Sequence, residues 1–450
     1  MTLKSWLFPT KPERVAPGLH FGRLDVEGQS HRLHLRVEPS GDGVLTLDAS
    51  RILHLNATAT DVVKHLLDGL SEQETVALMA KRYRVGKDVL TKDVEQVLNA
   101  VRTLSATDRV CPLTDLGVEL VEPYSPRLSA PMRMDLALTY RCQNRCAHCY
   151  NEETRQVTEL DTAAWRRILD ALSKAGVPHV VFTGGEPTLR DDLPDLVAYA
   201  EELGLVTGLN TNGRRLGDAK YAARLRDAGL DHAQITLESA DPGIHNAMTR
   251  SDSYEETLEG IRRSKAAGLY TLTNTTLTKA NATGIEDLVD LVAQEGLPTF
   301  AVNGMIYSGK GKACGADLTP QEVVPILERL AKRAGERGVR LVWYTPTRYC
   351  ELNPVQMGLG VKQCTAARVS MAVEPDGTVI PCQSYYEGVG NIATDSWDSI
   401  WNHPLCVKLR QPQKPLTECE ACEYLTLCGG GCPLATEHER LFCKEVASGA

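Results

Sequence analysis

The sequence is poor in aromatic residues and in long apolar segments. Phe, Trp and Tyr together make up 5% of its 450 residues, and no segment approaches the roughly 18 apolar residues that a membrane-spanning helix requires. Its first residues lack the apolar core and cleavage site of a signal peptide. Basic runs are absent and the net charge is −9, which argues against nucleic acid or an anionic membrane surface as a partner. We therefore expect a cytoplasmic protein that binds neither.

Cysteine, in contrast, is abundant and unevenly distributed. One of the 14 cysteines precedes residue 140, three lie between residues 142 and 149, and the other ten follow residue 313. In a reducing cytosol, clustered cysteines bind metal more often than they form disulfides. We therefore expect metal sites rather than a disulfide framework.

The order of apolar patterns predicts an α/β protein with several domains. Residues 1–30 contain several Pro and Gly residues and predict an irregular arm. Residues 31–105 combine short β-like runs with three helical patterns, and a Pro-containing linker follows at 106–130. Residues 131–345 alternate strand and helix about every 30 residues, which predicts a parallel sheet curved as a TIM-like barrel. Residues 346–450 lose this periodicity, so bound metal is expected to replace an apolar core there.

The first cysteine motif is Cys142-x3-Cys146-x2-Cys149, directly after a predicted strand. Three thiolates on one tight loop can hold three corners of a four-iron cluster and leave the fourth iron open to another ligand. A zinc site completed by His148 is the alternative that the spacing alone leaves open.

Residues 131–305 resemble the radical S-adenosylmethionine (SAM) superfamily. Besides the cysteine motif, the resemblance rests on Gly184-Gly185-Glu186-Pro187, on Asn210-Thr211-Asn212-Gly213 and on Arg250, most of which follow successive predicted strands. It implies a partial (β/α)6 barrel in which the open iron binds SAM and one electron yields a 5′-deoxyadenosyl radical. The segment Thr236-Leu237-Glu238-Ser239 departs from the more usual Ser-x-Asp-Gly of the family.

The same resemblance implies a set of SAM-binding residues. His148 would lie near the adenine, Glu186 would accept from the methionine ammonium group, and Arg250 would pair with the carboxylate. The glycines would allow the backbone to approach the ligand. The complete implied set is His148, Gly184, Gly185, Glu186, Asn210, Asn212, Thr236, Glu238 and Arg250. No general acid or base is identified.

The remaining cysteines resemble the seven-cysteine pattern of the SPASM domain. Cys364 is followed by Gly377 and Cys382, then by Cys419-x2-Cys422-x5-Cys428-x3-Cys432 and by Cys443. The resemblance implies two auxiliary clusters, and thus three [4Fe–4S] clusters in all. The nearer would use Cys364, Cys382 and Cys432, with Cys350 or an open iron as the fourth position. The distal cluster would use Cys419, Cys422, Cys428 and Cys443. A structural zinc site on residues 419–432 is the alternative.

Residues 31–105 resemble the RiPP recognition element, a winged-helix-like domain that binds leader peptides. The phrase Leu55-Asn56-Ala57-Thr58-Ala59 carries part of this likeness. Such a domain adds a leader peptide as a strand to a sheet edge. A plain winged-helix fold or a structural cap is the alternative.

Together these features predict a radical SAM oxidoreductase that modifies a ribosomally made precursor peptide. An oxidative crosslink, thioether or carbon–carbon, is expected ahead of epimerisation, with flavodoxin or ferredoxin as the external electron donor. The alternatives are a sulfatase-maturating type of enzyme, an enzyme that makes a redox cofactor from a peptide, and a non-catalytic scaffold that binds peptides or transfers electrons.

Overall fold

The computed structural model describes residues 14–26, 28–48, 51–106, 128–151 and 157–439. Packing divides the chain into two compact units. Unit 1 is Met1–Ala130 with Leu172–Pro178, and unit 2 is Pro131–Ala171 with His179–Ala450. No helix in the described ranges is both long enough and apolar enough to cross a membrane.

Unit 1 combines an antiparallel sheet with three helices. The sheet has the order β1-β2-β3-β4 and is formed by Gly18–Val26, Gln29–Val37, Gly43–Leu47 and Arg51–Leu55. The helices are α1 (Ala57–Leu67), α2 (Glu72–Arg82) and α3 (Lys87–Ala106). Asn56 caps α1 and accepts from Ala59 N, as short polar side chains do at helix starts. Ser71 and Glu74 form a capping box at the start of α2.

The expectation of an irregular arm over residues 1–30 is wrong for residues 18–26. β1 pairs with β2 along its whole length, from Gly18 opposite Val37 to Val26 opposite Gln29. Its apolar residues do not alternate strictly, and Phe21 is 52% exposed, so the strand lacks the usual sequence pattern of a half-buried strand. Pairing with β2 decides its conformation. Residues 1–13 and most of the expected linker at 106–130 lie outside the described residues.

Within the described part of unit 2, seven parallel strands form most of the sheet, as predicted. They are β5 (Arg133–Thr139), β6 (His179–Gly184), β7 (Val206–Thr211), β8 (His232–Thr236), β9 (Tyr270–Thr276), β10 (Thr299–Asn303) and β11 (Arg340–Trp343). The helices between them are α4 (Thr162–Ala175), α5 (Leu193–Glu202), α6 (Ala219–Asp227), α7 (Pro242–Thr249), α8 (Tyr254–Ala266), α9 (Ile285–Gln294) and α10 (Pro320–Arg337). Because the strands are parallel, their carboxyl ends share one edge of the sheet, where sites gather in βα barrels.

The sheet continues into the C-terminal segment. Strand β12 (Ser370–Val373) pairs in parallel with β5, and β13 (Thr378–Ile380) and β14 (Gly390–Asn391) extend the sheet antiparallel. Three short helices follow, α11 (Trp397–Trp401), α12 (Pro404–Leu409) and α13 (Leu425–Cys428). The segment beyond residue 345 therefore packs in the same compact unit as the barrel strands.

Candidate active site

The loop after β5 brings the first three cysteines together. We call Cys142, Cys146 and Cys149 the first thiol set. Burial raises the pKa of Cys146, and negative charge on Glu238 and on the other two sulfurs of the set raises it further, so these groups are close neighbours. The Asn144 backbone N–H donates to Cys142 Sγ at 3.4 Å. Backbone donors of this kind stabilise thiolates at iron–sulfur sites.

Backbone hydrogen bonds fix this loop against other elements of unit 2. Arg145 N donates to Thr249 O at 3.0 Å and Ala147 N to Met248 O at 2.9 Å, at the end of α7. On the other side, Lys310 N donates to Cys149 O at 2.9 Å. The thiol spacing therefore rests on main-chain contacts rather than on side-chain packing alone.

Gly184 and Gly185 permit a close approach between two backbone segments. Gly185 N donates to Thr139 O at 2.7 Å, and Glu186 N donates to Arg141 O at 2.8 Å. A Cβ atom on Gly184, whose φ is +130°, would lie 2.2 Å from Thr139 O. Glycine is therefore required here because the backbone of the cysteine loop comes so close. The sequence alone predicts that these glycines allow a ligand to approach.

The Glu186 side chain is fully buried at the carboxyl ends of β6 and β7. Its Oε1 accepts from the Thr188 backbone at 3.1 Å and from the Thr188 and Thr211 hydroxyls at 2.6 and 2.7 Å. Its Oε2 accepts from Asn212 N at 2.8 Å. Burial raises the pKa of Glu186, and these hydrogen bonds oppose the rise. A carboxylate oxygen has two acceptor positions, so Oε2 keeps capacity for a cationic group.

Asn212 links β7 to the cysteine loop. Its Nδ2 lies 4.0 Å from Cys142 Sγ, and its Oδ1 accepts from Gln143 Nε2 at 3.4 Å. The structure therefore places Asn212 beside the first thiol set. Asn210 and Thr236 lie on the neighbouring strands β7 and β8.

His148 and Glu238 form a buried pair, which the sequence did not predict. His148 Nε2 lies 2.9 Å from Glu238 Oε1, and Glu238 Oε2 accepts from Thr276 N at 2.9 Å. Burial alone would lower the pKa of His148, but the Glu238 carboxylate raises it above its usual value. Both oxygens of Glu238 thus have partners within the protein, because the loop and β8 meet inside the barrel.

Arg250 follows α7 and is exposed, with a left-handed backbone at φ 49°. The two residues before it receive the hydrogen bonds from Arg145 and Ala147 of the cysteine loop. The backbone of Arg250 therefore lies at the same end of the sheet as the first thiol set.

Three cysteines from distant segments converge on a second position, and we call Cys364, Cys382 and Cys432 the second thiol set. Burial raises the pKa of Cys364, and the charges of Cys432 and Cys382 raise it further. Burial likewise raises the pKa of Cys382 to about 12, with a contribution from Cys432. The three sulfurs are therefore close enough for the charge on one to change the pKa of another.

Cys419, Cys422 and Cys428 lie between residues 417 and 428, and we call them the third thiol set. Cys443 lies outside the described residues. Cys350, one suggested ligand of the nearer auxiliary cluster, has Cys428 of the third set as a neighbour. Its pKa is raised by burial, by Glu351 and also by Cys428, and Tyr349 N donates to Cys428 Sγ at 3.4 Å. The turn at residues 349–351 packs against α13, which decides this position.

Sequence reasoning missed the polar side chains between the first two sets. Tyr150 OH donates to Gln383 Oε1 at 3.3 Å, and Tyr386 OH donates to Asn151 Oδ1 at 2.9 Å. The only available signal was position, since Tyr150 directly follows Cys149 and Gln383 directly follows Cys382.

The thiol sets suit iron–sulfur clusters by the chemistry of their donors. Each set consists of cysteine sulfurs, and backbone N–H groups point at Cys142 and Cys428. Within the described residues, no three His, Cys, Asp or Glu side chains converge on the position of a single metal ion.

Family models match three segments of the chain. They are the radical SAM superfamily at residues 136–292, the iron–sulfur cluster-binding domain SPASM at 364–423, and coenzyme PQQ synthesis protein D (PqqD) at 43–104. The last match spans β3 to the end of α3. All three resemblances inferred from the sequence are thereby confirmed.

Curated proteins and solved structures extend the match. The PqqA peptide cyclase of Streptomyces rochei is 34% identical over 268 residues, 58% of this chain and 71% of that protein. The Fe-coproporphyrin III synthase of Methanosarcina barkeri is 27% identical over 325 residues, 65% and 81% of the two chains. The crystal structure of Streptococcus suis SuiB bound to precursor peptide SuiA has a TM-score of 0.68 at 16% identity, covering 89% and 94% of the two chains.

The partial barrel, the cysteine loop and the Glu186 site define the class as a radical SAM enzyme. The chain belongs to the radical SAM family that carries a SPASM domain and includes the PqqA peptide cyclases. Its cofactors are SAM and iron–sulfur clusters.

Proposed function

We propose that the chain uses SAM to crosslink a ribosomally made precursor peptide oxidatively. One observation carries the proposal: the second thiol set converges within the same compact unit as the first set. Closing a bond from a carbon radical leaves one electron in excess. An auxiliary cluster on the second set would give that electron an acceptor, since clusters span a wide range of potentials.

When bound, SAM and its cluster supply a 5′-deoxyadenosyl radical that removes a hydrogen atom from the peptide. We propose one four-iron cluster on each thiol set, the third set being completed by Cys443. Three cysteines contribute to the second set, which leaves one position for a substrate thiolate. This arrangement favours a thioether slightly over a carbon–carbon bond.

The chain's own side chains bind and orient SAM in this proposal. Glu186 Oε2 accepts from the ammonium group, since it has capacity beyond its bond from Asn212 N. Arg250 pairs with the carboxylate. His148, held by Glu238, contacts the adenine from within the cysteine loop. Burial of Glu186 keeps water from competing for the ammonium group.

Unit 1 is proposed to bind the leader of the precursor. β4 is an edge of the sheet order β1-β2-β3-β4, and Ile52 on it is 49% exposed. An edge strand offers main-chain groups to an added peptide strand, and an exposed apolar side chain adds a contact.

A porphyrin substrate is the second candidate, because one relative is a Fe-coproporphyrin III synthase. The PqqD-like match over residues 43–104 favours the peptide. Anaerobic turnover with SAM and a reductant, in the presence of either the precursor peptide or iron coproporphyrin, separates the two by which one is consumed.

Mass spectrometry of the peptide product tests the crosslink. We expect the precursor to lose two hydrogens per crosslink and SAM to yield one 5′-deoxyadenosine, with dithionite or a flavodoxin as donor. An unchanged peptide mass with solvent deuterium at Cα would show epimerisation and contradict the proposal.

Replacing one exposed apolar residue on each edge of the sheet with Glu tests the proposed leader site. Ile52→Glu on β4 should weaken binding of a synthetic leader peptide about tenfold, since burying such a side chain stabilises by roughly 1.5 kcal/mol or more. Phe21→Glu on β1 is the matched control and should bind as the parent does. Equal affinities for both variants would reject the β4 edge, and unimpaired processing after deletion of residues 1–105 would reject leader binding by unit 1.

A further inference from the structure

Two cysteine-bearing loops of unit 2 are joined by a pair of tyrosine hydrogen bonds. The first loop contributes Tyr150 and Asn151, directly after Cys149. The second contributes Gln383, directly after Cys382, and Tyr386, four residues after it. Tyr150 OH donates to Gln383 Oε1 at 3.3 Å, and Tyr386 OH donates to Asn151 Oδ1 at 2.9 Å. We call these four residues the tyrosine bridge.

Tyr150 lies between the first and second thiol sets. It directly follows Cys149 of the first set, and its hydroxyl donates to Gln383, which directly follows Cys382 of the second set. The Thr183 hydroxyl also bonds to the Tyr150 oxygen.

The rest of the bridge is fixed to the barrel backbone. Asn151 Nδ2 donates to Gly184 O at 2.8 Å, which ties the bridge to the end of β6. The Tyr386 ring meets the Tyr140 ring edge-on at 6.5 Å, and Tyr140 OH donates to Glu374 Oε1 at 2.9 Å. Tyr140 itself stands two residues before Cys142. Tyr140, Tyr150, Asn151 and Gln383 line a narrow cavity together with Ala137, Ala372 and Ile380.

We propose that the tyrosine bridge carries the electron that passes between the second and first thiol sets and fixes the spacing of their clusters. Bonded contacts and aromatic rings transmit an electron better than open space does. In this step one electron leaves one cluster and arrives at the other; no bond is made or broken. Both phenol protons stay on oxygen, because each O–H already donates to an amide oxygen.

A path between the sets could conduct an electron in either direction, so its role extends beyond the proposed crosslinking activity. If the crosslinking proposal holds, a cluster on the second set would take up the electron released by the peptide, and the bridge would return it to the first set. In the other direction, an external one-electron donor that reaches the second set can charge the first.

Electron redistribution in the reconstituted protein, without peptide, tests the path. A photoreduced flavin supplies less than one electron per chain, and freeze-quench electron paramagnetic resonance follows its movement, with added SAM marking the signal of the first set. Tyr150→Leu, which removes the ring, should slow redistribution about tenfold, the size of effect that outer-shell residues have at metal sites. Tyr221→Leu, which removes a buried ring of α6 instead, should leave the rate unchanged.

A parent-like rate in Tyr150→Leu with its full iron content would overturn the proposal. If Tyr150→Leu loses iron, the double variant Tyr150→Phe, Tyr386→Phe decides, because it keeps both rings and removes only the two hydrogen bonds. Slower redistribution with all clusters present then supports the bridge, and an unchanged rate rejects it. Because no peptide is present, the result is independent of whether the crosslinking proposal holds.

Discussion

The first and second thiol sets of unit 2 are built in opposite ways. The first set comes from one loop of eight residues, 142–149, whose backbone is hydrogen-bonded to α7 and to the segment after β10. The second set comes from three separate segments. Cys364 precedes β12, Cys382 follows β13 and Cys432 follows α13. One set is therefore close in sequence, and the other exists only in the folded chain.

Glycine residues allow close backbone contacts at each thiol set, but in different places. In the first, Gly184 and Gly185 let β6 approach the loop from outside. In the second, the glycines are part of the connecting chain itself: a Cβ atom on Gly430, whose φ is +84°, would lie 2.2 Å from Gln413 O. The second set thus depends on a tight turn against residue 413, and its assembly is coupled to folding of the whole C-terminal segment.

Removal of the first set should have the largest effect. Replacing Cys142, Cys146 and Cys149 with Ala should remove about four irons per chain and abolish release of 5′-deoxyadenosine, because SAM then has no open iron. Iron analysis and chromatography measure both. Cys314→Ala, outside all three sets, is the control. Residual SAM cleavage in the triple variant would place the catalytic cluster elsewhere.

Removal of the second set should spare SAM cleavage and stop crosslinking. Replacing Cys364, Cys382 and Cys432 with Ala should remove about four irons and make the segments that carry these cysteines more sensitive to limited proteolysis, because bound metal would no longer join them. Cys406→Ala, at a fully buried cysteine outside the sets, is the control for cavity formation. Formation of crosslinked peptide by the triple variant would remove the second set from the reaction.

A smaller effect should follow from Glu186→Gln, because Glu186 belongs to the proposed SAM site beside the first thiol set. Losing the charge that faces the ammonium group should weaken SAM binding about tenfold, the scale of a hydrogen bond to a charged group. Equilibrium binding to the reconstituted protein measures this, and both iron content and the second set should be unaffected. Glu328→Gln, exposed on α10, should bind normally. Full affinity in Glu186→Gln would assign the ammonium group to another residue.

A last effect concerns the pH dependence of stability and involves neither thiol set. Burial lowers the pKa of His232 on β8 to about 4, against about 6.5 in the unfolded chain. Stability from this group is therefore present above pH 6.5 and is lost as the pH falls toward 4. Lowering the pH from 7 to 5 should therefore reduce the free energy of unfolding by about 2 kcal/mol through this group. Urea unfolding should show a shallower pH dependence in His232→Gln than in the parent or in His20→Gln. An equally steep loss in all three would reject the assignment.

Much of the fold follows from periodicity and local hydrogen bonding, and the sequence therefore predicts it. The seven barrel strands, the capping box at Ser71 and the cap at Asn56 depend on residues a few positions apart. The first thiol set and the glycines before Glu186 are likewise fixed by spacing at strand ends, where a parallel sheet gathers its loops.

Strand β1 and the partners of several site residues depend on contacts between distant parts of the chain. β1 exists because β2 pairs with it, although its own apolar pattern is irregular. Glu238 meets His148 across the barrel, and Cys350 lies beside Cys428 although the spacing also allowed the second set.

By itself, the sequence determined which chemical groups this protein has and which of them lie on one loop, because neighbours along the chain stay neighbours. Only the tertiary structure decided what lies between the sets. Tyr150 and Gln383 meet because β12 pairs with β5 and carries the C-terminal segment against the cysteine loop. No local pattern encodes that contact, since the pairing of strands far apart in sequence is settled by the packing of the whole sheet.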